Sequence, residues 1–433
     1  MGYSFTERYF AKLLDSFPSI RSFAKSKYHR LNFFLFGDRS FKYILNPKVS
    51  ILYPSIGDDY KGCLESFFGY YDKTPWARTS DYYLYHEVKS NDKDLNLILW
   101  NPRSQAQKLF SRTNTWNFQQ GAMLQWVNWQ ETERIIFNSC QNSILGSSIF
   151  DIESSNIEFC PWPVQTIHPI LPRFISLNYL RLNRLRPEYG YNLRVKNFNE
   201  NFSDDEDGLW LLDWSGKTLW FLSLERLKLF DPRYEMENSA HKVNHAIYSP
   251  NGKRIVFMHR WLGRFGKFSR LYVIDDDGSN LKLLLDNRMV SHYNWKSDDE
   301  LVAWARDEFG SDHYISVNVI TGEQKILGKG LFDAFGDGHP SFSPCGRFLL
   351  TDTYPDRKRQ RCLLLFDLVN PRVTVLGRFF EPLSFEGYNR CDLHPRWSRG
   401  GSEISIDSCF SGQRSTYILS LPDNLDELFE VMV

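Results

Sequence analysis

Short runs of alternating apolar and polar positions, rich in β-branched and aromatic residues, are broken every few residues by Gly, Pro, Asp, Asn and Ser. This is the pattern of strands joined by tight turns. The runs also resemble one another. His245-Ala-Ile-Tyr-Ser-Pro-Asn-Gly, His339-Pro-Ser-Phe-Ser-Pro-Cys-Gly and His394-Pro-Arg-Trp-Ser-Arg-Gly-Gly share a histidine, an aromatic three residues on, a serine and a turn ending in glycine, followed by an alternating strand. His292-Tyr-Asn-Trp-Lys-Ser-Asp-Asp is a fourth copy without the turn glycine. A second strand pair follows each copy, as in Leu271-Tyr-Val-Ile-Asp-Asp-Asp-Gly, where Asp-Gly marks a hairpin. One repeat is therefore four antiparallel strands. The spacing between Tyr248, Trp295, Phe342 and Trp397 is 47 to 55 residues, the length of a propeller blade.

Weaker copies begin at Trp76 and Trp129, and another at His168 resumes after an insertion at Leu209. Seven copies predict an all-β, seven-bladed β-propeller of four-stranded antiparallel blades with a short N-terminal helical extension. Residues 1–40 form that basic extension, with Arg8, Lys12, Arg21 and Lys25 among Phe5, Phe10 and Leu13, placed to cap a face of the propeller or to touch a peripheral partner. Residues 41–425 form the propeller and 426–433 a tail. The last copy shows three strands, so the N-terminal run Phe41-Lys-Tyr-Ile-Leu is expected to complete blade seven and cover its open edge.

Composition narrows the function. Lysine plus arginine equals aspartate plus glutamate at 52 each, which argues against nucleic-acid binding by net charge. The seven cysteines are odd in number, scattered and never C-x-x-C, as expected of reduced thiols in a cytoplasmic protein. No run of eighteen apolar residues predicts a transmembrane segment, and no apolar signal region follows the first residues. Walker, Rossmann, G-x-S-x-G and H-E-x-x-H motifs are absent.

The repeat itself suggests a site. First strands of blades line a propeller channel, so His168, His245, His292, His339 and His394 are expected to form a ring. Converging neutral imidazoles suit a divalent metal, Zn or Mn, or proton transfer; the alternative is that each holds a blade turn by hydrogen bonds. Asp337 and Asp392 lie beside two of them, and His241 and Asn244 are placed to supplement them. Blades one and two offer Tyr70, Tyr71, Lys73, Trp116, Gln119 and Gln120, which suit sugar stacking and hydrogen bonding or simple blade packing. The blade-three insertion carries Arg181, Arg184, Arg186, Tyr189 and Tyr191. Its arginines could clamp a carboxylate or phosphate, or pair with the acidic run 204–207, and Arg390 is a further substrate-binding candidate.

The Ser-Pro-x-Gly strands at 249–257 and 343–350 resemble the TolB-type propeller repeat. Gly-His339-Pro-Ser-Phe-Ser and Leu-His394-Pro-Arg-Trp-Ser resemble the seven-bladed oligogalacturonate lyase and ulvan lyase families, and propellers of bacterial surface-polysaccharide loci. The resemblance implies β-elimination of a uronate in an acidic glycan, a weakly acidic C5 proton being drawn off beside positive charge. It makes His245, His292, His339 and His394 metal or base candidates, with Tyr71, His245 and His292 the groups that move the proton. A propeller that binds a glycan or protein without chemistry is the other reading.

Overall fold

The computed structural model describes residues 27–431 apart from 29, 39, 55–63, 90–91, 128, 130–131 and 333. Among them, seven antiparallel sheets follow one another along the chain, six of four strands and one of five. The architecture is a seven-bladed propeller. Blade four shows the pattern: Ala240–Tyr248, Arg254–Gly263, Gly266–Asp275 and Lys282–Leu285 pair in sequence order, innermost first. Strand alternation sends one set of side chains to each neighbouring blade, and the apolar core lies between sheets. Val256 and Leu271 of blade four thus pack with Tyr293, Leu301 and Ala303 of blade five.

Closure differs from the sequence expectation by one strand. Tyr43–Leu45, within the run expected to complete blade seven, adds a fifth strand to blade six alongside Arg372–Phe380. Blade seven is closed by the next strand, Ser50–Pro54, with Ser50 opposite Ser420. The step between them is set by Asn46, whose side chain accepts from the Lys48 N–H and donates to the Leu428 carbonyl. Leu45, Val49 and Ile51 join the core shared by blades six and seven, so both sheets gain an edge strand and apolar contact from one short segment.

Of the basic extension, Arg8, Lys12, Arg21 and Lys25 lie outside the described residues. Residues 30–36 are helical, and Phe33 stacks on Phe380 of blade six at 5.5 Å. No helix among the described residues is long and apolar enough to cross a membrane.

Candidate functional site

Hydrogen-bond register decides which residues share a slot. In blades four, six and seven a serine N–H donates to the carbonyl five residues on: Ser249 to Arg254, Ser343 to Phe348 and Ser398 to Glu403. His245, His339 and His394 each stand four residues before that serine. Blade five has a turn one residue shorter, Lys296 to Glu300, with His292 in the same slot. In blade three it is His168 that donates, to Arg173, so His168 takes the serine slot and Val164 the histidine slot. The expected fifth member is therefore lost from the ring. Its Nδ1 accepts the Ile170 and Leu171 N–H groups and its ring meets Tyr248, which is the turn-holding role. In blade one Ala77 donates to Tyr82, which puts Lys73 where the other blades carry histidine.

Local irregularities turn these side chains inward. Strand pairing shifts register between Asn244 and Ile247, around His245, and between Val290 and Tyr293, around His292. Such bulges re-aim a side chain at the expense of one ladder position. His245 and His394 hold left-handed backbone angles, φ 54° and 44°, an uncommon conformation for residues other than glycine. His339 and His394 precede Pro340 and Pro395, which cannot donate to a ladder, and the inner strands start only at Ser341 and Arg396. Asn294 then donates to the Pro340 carbonyl and Ser341 to that of Pro395, linking blades five, six and seven at this level.

The four imidazoles converge. His292 and His339 have ring centroids 4.0 Å apart, and His339 and His394 are 4.4 Å apart. The Tyr70–Tyr71 pair sits among them: Tyr70 lies 4.8 Å from His245 and 5.0 Å from His394, and Tyr71 5.1 Å from His339. The Tyr71 hydroxyl donates to the Tyr293 carbonyl and accepts the Tyr293 N–H, and burial pushes its proton affinity well above the ordinary tyrosine value.

This tyrosine segment is fixed from blade seven. Asp407 accepts the Phe68 and Gly69 N–H groups and pairs with Arg396 at 2.6 Å, while Arg396 donates to the carbonyls of Gly69 and Tyr70. Gly69, at φ +115°, lets the segment approach blade two, since a Cβ there would lie 2.8 Å from the Gln120 backbone.

Carboxylates back the ring. Asp337 accepts from His292 Nδ1 at 3.0 Å. Asp352 accepts from His339 Nδ1 at 2.7 Å and from the His339 and His394 N–H groups. With Nδ1 carrying the proton, the lone pair of His339 is on Nε2, which is buried without a partner, as is Nε2 of His394. Burial works against the Asp392 carboxylate, but Arg390 and Arg361 outweigh it and hold it well below the usual range. His339, Asp392 and His394 bring one ligand atom each within 4.8 Å of one another. Burial depresses His245, and it pushes His292 down to about 4 against the opposing Asp337. Burial also opposes ionisation of Asp72, which Lys73 at 2.8 Å and His245 at 3.6 Å nonetheless hold at about 2.

The cluster is covered: none of the four histidines is more than 4% exposed. Arg390 donates to Gln119 and to the Tyr189 hydroxyl, Tyr189 packs edge-on against Tyr70, and Arg186 lies over the Tyr189 ring at 4.6 Å. Tyr70, Tyr71, Lys73, Gln119, Arg186, Tyr189 and Arg390 are thus brought together, with Gln120 beside them.

Four other expected binding residues are engaged elsewhere. Arg181 is buried and pairs with Asp204 and Asp207 of the acidic run, and exposed Arg184 donates to Asn201. Tyr191 stacks on Tyr179, and the Trp116 indole donates to the Lys93 carbonyl. His241 bonds His259 at 3.0 Å, away from the ring. Sequence reasoning missed Asp352; its signal is an acid closing the apolar strand Phe348–Asp352.

No family model and no curated relative matches the chain. Among solved structures, an oligogalacturonate lyase in complex with manganese superposes with a TM-score of 0.61 at 13% identity, over 89% of this chain and 97% of that one. The oligogalacturonate lyase of Vibrio parahaemolyticus gives 0.58 at 12% identity, over 88% and 96%. TolB from Acinetobacter baumannii gives 0.39 at 11%, over 76% of each chain. This is a seven-bladed propeller whose fold resembles that of oligogalacturonate lyase. At such identity the likeness is one of fold.

Proposed function

We propose that the protein is a lyase-like enzyme that cleaves an acidic, uronate-containing oligo- or polysaccharide by β-elimination at the histidine cluster, with a divalent metal, zinc or manganese, at His339, Asp392 and His394. The supporting observation is the pair of buried, unpartnered Nε2 atoms on His339 and His394 beside an ionised carboxylate. That donor set fits a divalent cation, and Asp352 behind His339 is the usual outer partner of a ligating imidazole. When bound there, such an ion supplies positive charge beside the sugar carboxylate, where the elimination builds up negative charge.

His245 is the base this geometry favours. Burial keeps its imidazole neutral at pH 7; Nε2 faces Asp72 at 3.6 Å and Nδ1 has no hydrogen-bond partner, so a lone pair is available for the C5 proton. His292, oriented through Nδ1 by Asp337, is the second candidate. Tyr71 has both its proton and its acceptor position taken by the Tyr293 backbone, so it positions the imidazoles instead of moving the proton. A glycan reaches them once Tyr189 and Arg390 are displaced.

Incubating the manganese- or zinc-supplemented protein with a panel of uronate oligosaccharides tests the reading. An absorbance rise from a 4,5-unsaturated product is expected, and none across the panel defeats the proposal. Asp352→Asn is expected to weaken metal binding roughly 10- to 100-fold, measured by competition with a chelating dye. Unchanged affinity would remove the metal from this place. The closed cover favours one other reading, a platform that binds a glycan or protein partner without chemistry; stoichiometric bound metal speaks against it.

A further inference from the structure

We propose that Lys242, Arg260 and Arg186 form an anion site on the blade-four wall of the covered cluster, which takes a second carboxylate of an acidic oligosaccharide. Its ligand rests on the function proposed above, while its chemistry rests on residues that function does not use.

Lys242 and Arg260 are directly opposed partners on adjacent strands of blade four. Like charges in opposed positions destabilise a sheet. Here the cost is raised by burial, since Lys242 is only 9% exposed. Among the described residues no acidic group forms an ion pair with either cation. Arg260 donates to the Val290 carbonyl at 3.3 Å and to the Met258 sulfur at 2.5 Å, which leaves donors of its fork unused. Arg186, at the end of the insertion helix Tyr179–Leu185, adds a third cation to the same wall. Burial first, then Arg186 and Arg260, push the Lys242 ammonium well below its ordinary range, with Glu188 opposing. Asp72, next to His245, is occupied by Lys73. Asn244 shares the Lys242 face by strand alternation, and its buried Oδ1 has no partner, which suits a sugar hydroxyl.

A buried lysine flanked by two half-buried arginines, with no ion-pair partner for Lys242 or Arg260, is stabilised by an anionic ligand. Arginine offers a planar fork to a carboxylate and lysine a point charge. Uronate chains repeat a carboxylate on every sugar. A site here, in addition to the one at His339, Asp392 and His394, therefore selects oligomers over single sugars.

Calorimetric titration of the full-length protein with trigalacturonate and its methyl ester tests this, together with melting of the protein in sodium sulfate. Lys242→Met and Arg260→Gln are each expected to weaken trigalacturonate binding roughly tenfold and to leave ester binding unchanged. Without ligand, Lys242→Met is expected to melt no lower than the wild type, because a like-charge contact is relieved. Both variants binding trigalacturonate as tightly as the wild type overturns the site and leaves the proposed function standing. Should the wild type bind no uronate, the function fails. In that case a sulfate-induced rise in Tm, lost in both variants, upholds the anion site, and no such rise sinks it as well.

Discussion

Asp407→Ala is expected to lower the unfolding free energy by about 3–5 kcal/mol, read as a fall in the urea midpoint at constant slope. Arg396 is 2% exposed, and Asp407 is its ion-pair partner. Removing the acid leaves a buried guanidinium uncompensated, and it also strips the acceptor from the Phe68 and Gly69 N–H groups and from the Thr416 hydroxyl. The site suffers with the fold. Tyr70 and Tyr71 are held among the imidazoles through this one carboxylate and its arginine, so tyrosine fluorescence and any metal affinity should change even where the variant is still folded. A loss under about 1 kcal/mol would mean that Asp407 is not what pins the segment.

Acidification should destabilise the protein between pH 6.5 and about 4. His86 and His241 are each held down to about 4 from an ordinary value of 6.5, in both cases chiefly by burial, and His259 lies well below that value for the same reason. His86 receives the Ala122 N–H on Nε2, and His241 and His259 form a chain that Arg270 enters by donating to His259 Nδ1. Each ring must stay neutral to accept. Because the folded pKa is the lower one, the unfolded chain binds protons first. The stabilisation is complete above pH 6.5 and is lost as pH falls toward 4. A tenfold drop in proton affinity is worth about 1.4 kcal/mol, so together these rings account for a loss on the order of 5 kcal/mol. Asp207, raised by burial to about 6, works in the opposite direction, as do Glu87, Asp276, Asp286 and Glu403, which burial also raises, whereas His168 and His292, held at about 4 chiefly by burial, add to the loss. Thermal melts at half-unit pH steps provide the check, and a flat Tm from pH 7 to 4.5 would falsify it.

The architecture is readable because each blade must bury the same faces, so strand period, turn residues and aromatic positions recur. The same recurrence locates His245, His292, His339 and His394, which share one hydrogen-bond register. His168 misleads because blade three reaches its turn with His168-Pro-Ile-Leu-Pro, where the histidine performs the serine's backbone role; only the bond to Arg173 reveals the slip. The closing strand lies one step further along than the sequence suggests because 41–45 and 50–54 are both short apolar runs, and the turn at Asn46 that sends them to different blades is tertiary. Lys242 and Arg260 lie eighteen residues apart in sequence, and their opposition exists only in the strand ladder. Arg181, attractive as a carboxylate clamp, is spent on its own insertion.

The pairing of Ser50 with Ser420 has a consequence for biogenesis. A ribosome must release all seven blades before the ring can be fastened, and the Asp407 anchor for Tyr70 and Tyr71 also comes from blade seven. Nascent chains halted before blade seven should therefore carry six preassembled sheets around an unfinished centre, its imidazoles from blades four to six waiting on that blade to complete the cluster.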